Sequence, residues 1–140
     1  MRIVYISEDG LNVITPAPGI PIEDCIKNVP DGLGYKIVSV SEVPSDRSFR
    51  NAWEIQGEKI AVNMTKAVEI QQDRLRVERQ PLLESLDVAF MKALEAGDAK
   101  MREDIVARKQ ALRDVTNHPA LLLAKTPEEL KGVTIETLGI

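Results

Sequence analysis

Aromatic side chains are scarce: one Trp, two Tyr and two Phe make up 4% of the 140 residues. Cysteine occurs once, at Cys25, which excludes an intrachain disulfide framework and a cysteine-based zinc site. Histidine also occurs once, at His118 before Pro119, so the sequence signals no histidine metal site and no proton relay. Nowhere do eighteen apolar residues run together, and "MRIVYISEDG" turns polar at Ser7, which is too early for a signal peptide. The expectation is an intracellular, unprocessed chain with no membrane partner. A basic segment is missing too. Residues 1–63 carry 6 Lys or Arg against 9 Asp or Glu, residues 64–116 carry 10 against 10, and residues 117–140 carry 2 against 3, for a net charge of −4. Without a concentration of positive charge the electrostatic footprint of a nucleic-acid binder is lacking, so no nucleic acid is expected as a partner.

What the chain does have is 44% hydrophobic residues, enough for one core, arranged in two textures that together predict an α+β fold. Residues 1–62 read as a small, mainly β lobe, 63–117 as a helical hairpin, and 118–140 as a C-terminal extension with a short helix and a strand. Arg2 to Ile6 and "LNVIT" alternate around Asp9-Gly10 and predict a hairpin. Pro16, Pro18 and Pro21 then stop regular pairing. "IEDCIKNV" predicts a short helix with Ile22, Ile26 and Val29 on one face, "YKIVSV" a strand, and "EIQGEKIAVN" a second hairpin turning at Gln56-Gly57.

"SDRSFRNAWE" places Trp53 and Phe49 beside Arg47 and Arg50 in an otherwise polar run. On a strand Trp53 and Ile55 share a face opposite Ala61 or Val62, so the indole covers a sheet too small to bury itself otherwise. The other reading is a recognition anchor, because Trp and Arg are both enriched at binding hot spots.

From Asn63 the chain carries no glycine until Gly97 and is rich in strong helix formers. Val68, Leu75, Leu82 and Ala89 form a seven-residue seam, with Leu86 and Ala93 as a second one that Gln72 and Arg79 interrupt. Pro81 removes one helical hydrogen bond, which predicts a kink near Gln80 or two helices in line. Gly97 stops the helix and Asp98 caps the next, whose stripe is Met101, Ile105, Leu112 and Val115. At ~1.5 Å per residue the first arm is about 48 Å long and the second about 28 Å, so roughly 20 Å of the first needs another partner, either the N-terminal β lobe or another subunit. Val68 and Leu75 in that overhang predict self-association, with Leu82 and Leu86 continuing the interface. "TPEEL" adds a capped short helix, and "GVTIETLGI" alternates like a strand. Arg74 with Glu78, Lys100 with Asp104, and Asp104 with Arg108 are spaced for surface ion pairs.

Chemistry is hard to find. Cys25 with His118 as its base would be a nucleophilic pair, but Cys25 lies in an apolar helical pattern where cysteine behaves as a small hydrophobe. Glycine-rich phosphate loops, paired-histidine zinc motifs and serine elbows do not occur. Glu103-Asp104 and Glu128-Glu129 are adjacent on predicted helices and point in different directions. The reading is no enzyme, with no catalytic residue, cofactor or metal.

"PSDRSFRNAW" and "RLRVERQPLLESLDVAFMKALEAGD…ARKQALRDV" resemble small proteins encoded in the tail modules of tailed bacteriophages. There a "DR-x-FR-x-AW" segment precedes an "R-x-x-R-x-x-LL-x-x-x-D" helix and a closing "LRD" helix. The matching residues are Arg47, Phe49, Arg50 and Trp53, then Arg76, Arg79, Leu82, Leu83 and Asp87, then Leu112, Arg113 and Asp114. The second stretch is similar to the phage tail assembly chaperone family, although Val88 follows Asp87 where chaperone-like members often carry a tryptophan. The resemblance covers roughly residues 44–119. It implies a non-catalytic virion component of tail, fibre or baseplate, or an assembly factor for them, in the host cytoplasm during assembly or in the virion tail. Implied partners are other tail or fibre proteins and further copies of the chain. It also implies that Phe49 and Trp53 wedge between lobe and arm, with Arg50 stacking or bridging to a carboxylate. A regulator that binds a host protein through the helical arm is the alternative.

Overall fold

Ile3 and Val4 are neighbours on one strand and point to opposite faces of its sheet, yet both are fully buried. Their burial shows how the N-terminal residues are layered. The computed structural model describes every residue from Met1 to Ile140, and its class is α+β. It divides into two units, Met1–Lys66 and Ala67–Ile140.

In the first unit, strand β1 (Arg2–Ser7) is the centre of a three-stranded antiparallel sheet, flanked by β2 (Gly10–Ile14) and β3 (Tyr35–Val38). One face of β1 carries Ile3, which packs with Cys25 and Val29. These come from helix α1 (Ile22–Cys25) and the end of the 3-10 turn that extends it, so the predicted helix over "IEDCIKNV" is real but tightens after one turn. The other face carries Val4, which clusters with Val38, Trp53 and Ile60. Trp53 and Ile60 belong to a second antiparallel hairpin, β4 (Trp53–Gln56) and β5 (Lys59–Val62). The central strand is therefore covered on both sides.

Both hairpins form, and both turn one residue away from the predicted dipeptide. Ser7 pairs with Gly10 and Gln56 with Lys59, which leaves Glu8-Asp9 and Gly57-Glu58 as the two-residue loops. In the second, Gly57 sits at φ +64°, a conformation open to glycine at the first loop position of a tight hairpin.

Helix α2 (Met64–Glu95) starts where the side-chain oxygen of Asn63 accepts the Lys66 N–H at 3.1 Å. Of the two sequence readings, one long helix is correct: α2 is continuous through Pro81. The carbonyl deprived of its donor belongs to Val77, which is 76% exposed, so water can take the missing bond. Gly97 ends the helix at φ +68°, with its N–H on Leu94 O at 3.1 Å and the Asp98 N–H on Ala93 O at 3.0 Å. That bond pair is the Schellman arrangement. The Asp98 carboxylate then accepts the Met101 N–H at 3.0 Å and opens α3 (Ala99–Asp114).

Along α3 and the 3-10 turn after it, Ile105, Leu112 and Val115 are buried as predicted, whereas Met101 is 50% exposed. Two short helices follow, α4 (Ala120–Leu123) and α5 (Pro127–Lys131), the second capped by Thr126 as the sequence predicts.

Two expectations are overturned here. "GVTIETLGI" is not a strand. It is a run of turns in which Leu138 N–H reaches Thr134 O, Ile140 N–H reaches Ile135 O, and the Thr137 hydroxyl donates to Gly132 O at 2.6 Å. Threonine hydroxyls satisfy this backbone locally, in competition with any ladder. Nor does the first half of α2 stand uncovered. Gln71 Nε2 donates to Val133 O at 2.8 Å and Gln72 Nε2 to Thr116 O at 2.9 Å, so the C-terminal segment of the same chain lies along this stretch. Leu75 is fully buried and Val68 half-buried without a second subunit.

Candidate functional site

The residues of the "R-x-x-R" and "LRD" stretches meet. One turn of α2 brings Arg79 beside the end of α3, where its guanidinium donates to Arg113 O at 2.7 Å and Leu112 O at 3.3 Å. These are carbonyls that the helix leaves without donors, at the negative end of its dipole, so a cation there is favourable. Leu112 is fully buried beneath them. Arg76 pairs with Asp73 on the exposed side of α2, and Leu82 is half-buried while Leu86 is buried. The arm residues predicted as an interface, Val68, Leu75, Leu82 and Leu86, are thus mainly interior to the second unit.

Trp53 is core to the first unit, 4% exposed among Val4, Val38 and Ile60, with Val62 as its cross-strand partner. Phe49 is 2% exposed. The cation over the indole is Arg47, 5.8 Å from the ring centroid, and not Arg50, which is exposed in a 3-10 turn. A turn separates the two arginines, with the Arg50 N–H on Arg47 O at 3.1 Å, and Arg47 is the one that lies over the ring.

What stands free is one side of the α2–α3 hairpin. Successive helical residues rotate by about 100°, which puts Met91 and Leu94 of α2 and Ala99 and Val106 of α3 on a common side. Met91 is 55%, Leu94 45% and Val106 53% exposed. Between them is a groove of about 460 Å³ lined by Phe90, Ala99, Arg102, Glu103, Val106 and Ala107. Beside it, Lys109 pairs with Asp87 and lies 5.9 Å from the centroid of Phe90. Arg102 contributes a buried Nε with no hydrogen-bond partner. The sequence reading missed this side because it followed the seven-residue seams, which face inward. Apolar residues off the seam, at Val88, Met91 and Leu94, were the available signal.

Titratable groups are arranged for structure. Cys25 is buried in the apolar cluster around Ile3, and the Nδ1 of His118 accepts the Ala120 N–H at 3.1 Å. Glu54 is held below its ordinary carboxyl range by hydrogen bonds from Gln56 and then Asn63, with the charge of Lys66 adding to them. His, Cys, Asp and Glu form no cluster of three or more with metal-holding geometry. No helix is long and apolar enough to cross a membrane. Comparison with known proteins finds no matching family, no matching curated protein and no matching solved structure.

Proposed function

We propose that this chain is a non-catalytic protein of a tailed-bacteriophage tail module, acting through binding to other tail or fibre proteins as a structural subunit or as an assembly factor. The observation that carries the reading is the exposed apolar side of the hairpin, where Met91, Leu94 and Val106 are between 45% and 55% exposed. A contiguous apolar surface of this kind is a mark of protein–protein recognition. The likeness of the "DR-x-FR-x-AW", "R-x-x-R-x-x-LL" and "LRD" stretches to tail-module proteins supplies the biological setting, and the contact of Arg79 with the "LRD" carbonyls gives those residues a shared physical role.

Affinity capture from infected cells tests the proposal. Recovery of tail or fibre proteins by the unaltered chain, lost in Met91→Glu/Val106→Glu, is the expected result. Recovery of host proteins alone would replace it with a host-directed regulator. Mass spectrometry of purified virions then divides the two forms: stoichiometric presence marks a structural subunit, and presence in lysate only marks an assembly factor.

A further inference from the structure

Strand β3 ends its sheet, and the neighbouring hairpin fixes which of its residues look outward. Ser7 and Gly10 flank the two-residue loop between β1 and β2, so they form a hydrogen-bonded pair, and such pairs alternate along an antiparallel ladder. Ser7, Tyr5 and Ile3 therefore spend their backbone groups on β2, while Val4 and Arg2 spend theirs on Lys36 and Val38 of β3. The N–H and C=O of Tyr35 and Ile37 are left on the outer side of β3, where the chain supplies no backbone partner.

The side chains of the same two residues are half-exposed, Tyr35 at 44% and Ile37 at 41%. Their cross-strand partners are Tyr5 and Ile3, so they share the face on which Cys25 and Val29 pack, yet they lie outside that cluster. The opposite edge of the sheet differs. There the outward residues are Leu11 and Val13, whose side chains pack against the cluster of Val4 and Trp53.

From this coincidence of free backbone and exposed apolar side chains we infer that the outer edge of β3 accepts an extended segment of a partner protein as a further antiparallel strand. A row of backbone donors and acceptors selects an extended chain, because a helix has already spent its own. Hydrogen-bonded pairs with Tyr35 and Ile37 set two side chains of the segment beside these residues on the same face, so its first and third positions are apolar. The second position lies opposite Lys36. A lysine on an edge strand ordinarily repels an arriving strand, but the ammonium of Lys36 is drawn aside onto Gly57 O at 2.6 Å. Its charge still disfavours a cation opposite it. That disfavours the chain's own β3 as the occupant, since matching Tyr35 with Ile37 of a second copy sets Lys36 directly against Lys36. The inference concerns the first unit and is independent of the tail-module reading.

The end-blocked peptide Ser-Thr-Val-Glu-Val-Thr-Ser, titrated into the full isotope-labelled chain to millimolar concentration, tests it. Saturable shifts of the Tyr35 and Ile37 amide signals are expected, with slowed hydrogen exchange at both. N-methylation of both valines removes the donors that meet β3 and should weaken binding roughly tenfold or more, whereas N-methylation of the glutamate, whose N–H points away, should leave it within about threefold. Replacing that glutamate by lysine should also weaken it. Ile37→Pro removes an outward donor without touching the ladder to β1, so the far-ultraviolet circular dichroism spectrum should be unchanged and binding roughly tenfold weaker or worse. Should that variant unfold, the methylated peptides carry the test on the unaltered chain. No saturable binding, equal loss from either methylation, or shifts centred on Met91 and Val106 in place of β3 would each overturn the inference.

Discussion

The guanidinium of Arg79 donates to the backbone carbonyl of Arg113 at 2.7 Å and joins the middle of one long helix to the C-terminal end of the next. A second bond from the same nitrogen reaches Leu112 O at 3.3 Å. Arg79→Met keeps much of the side-chain volume but leaves both carbonyls without this donor, and should cost about 1–2 kcal/mol. Arg79→Lys should recover only part of that, because an ammonium on a flexible stem does not hold the planar guanidinium's geometry. Urea denaturation of the three proteins measures the difference. Equal midpoints would mean that the contact contributes nothing.

Gln71 is buried and spends its amide on Val133 O, 62 residues away. Gln71→Leu leaves a buried carbonyl unsatisfied and is expected to destabilise by about 1–3 kcal/mol. The effect should be local as well as global. Hydrogen exchange of amides around Val133 and Ile135 is expected to accelerate more than exchange in the strands of the first unit.

Trp53 fills the cluster of Val4, Val38 and Ile60. Trp53→Ala should cost about 3–5 kcal/mol, the usual range for a buried aromatic, and Trp53→Phe distinctly less. Circular dichroism followed through chemical denaturation provides the readout without relying on indole fluorescence. An unchanged midpoint for the alanine variant would remove Trp53 from the core.

Glu54 accepts hydrogen bonds from Gln56 at 2.9 Å and Asn63 at 3.0 Å, and its pKa lies below the ordinary value of 4.5. Because the folded value is the lower one, its contribution is present in full above pH 4.5 and is lost as pH falls through the folded value. Glu54→Gln should therefore be less stable than the parent at neutral pH and match it in acid. Denaturation midpoints measured on either side of the transition give the comparison, and a gap independent of pH would rule out the linkage.

Much of the local architecture was legible because its causes are local. Asp98 and Thr126 each cap a helix by accepting the backbone N–H three residues downstream, and Gly97 stops one by adopting a positive φ. The alternation around β1 and the run from Tyr35 located all three strands of the larger sheet. Of the candidate site, the likeness stretches identified Arg79, Leu112 and Arg113, but nothing in their spacing announced that they touch.

Hydrophobic period, caps and turn residues thus determined which segments became helix or strand, since these depend on side chains within one turn or one hairpin of each other. Tertiary structure alone decided what covers what. The pattern at Val68 and Leu75 records only that an apolar face must be hidden, and a second subunit or a distant stretch of the same chain would satisfy it equally. Only the folded chain shows Gln71 bonded to Val133 and Leu75 buried beside it. The same holds for "GVTIETLGI", whose alternation suits a strand but whose threonine hydroxyls close turns when no strand edge lies alongside. Burial of an apolar surface is non-directional, so a sequence can state the need for a partner while the geometry of the whole chain selects it.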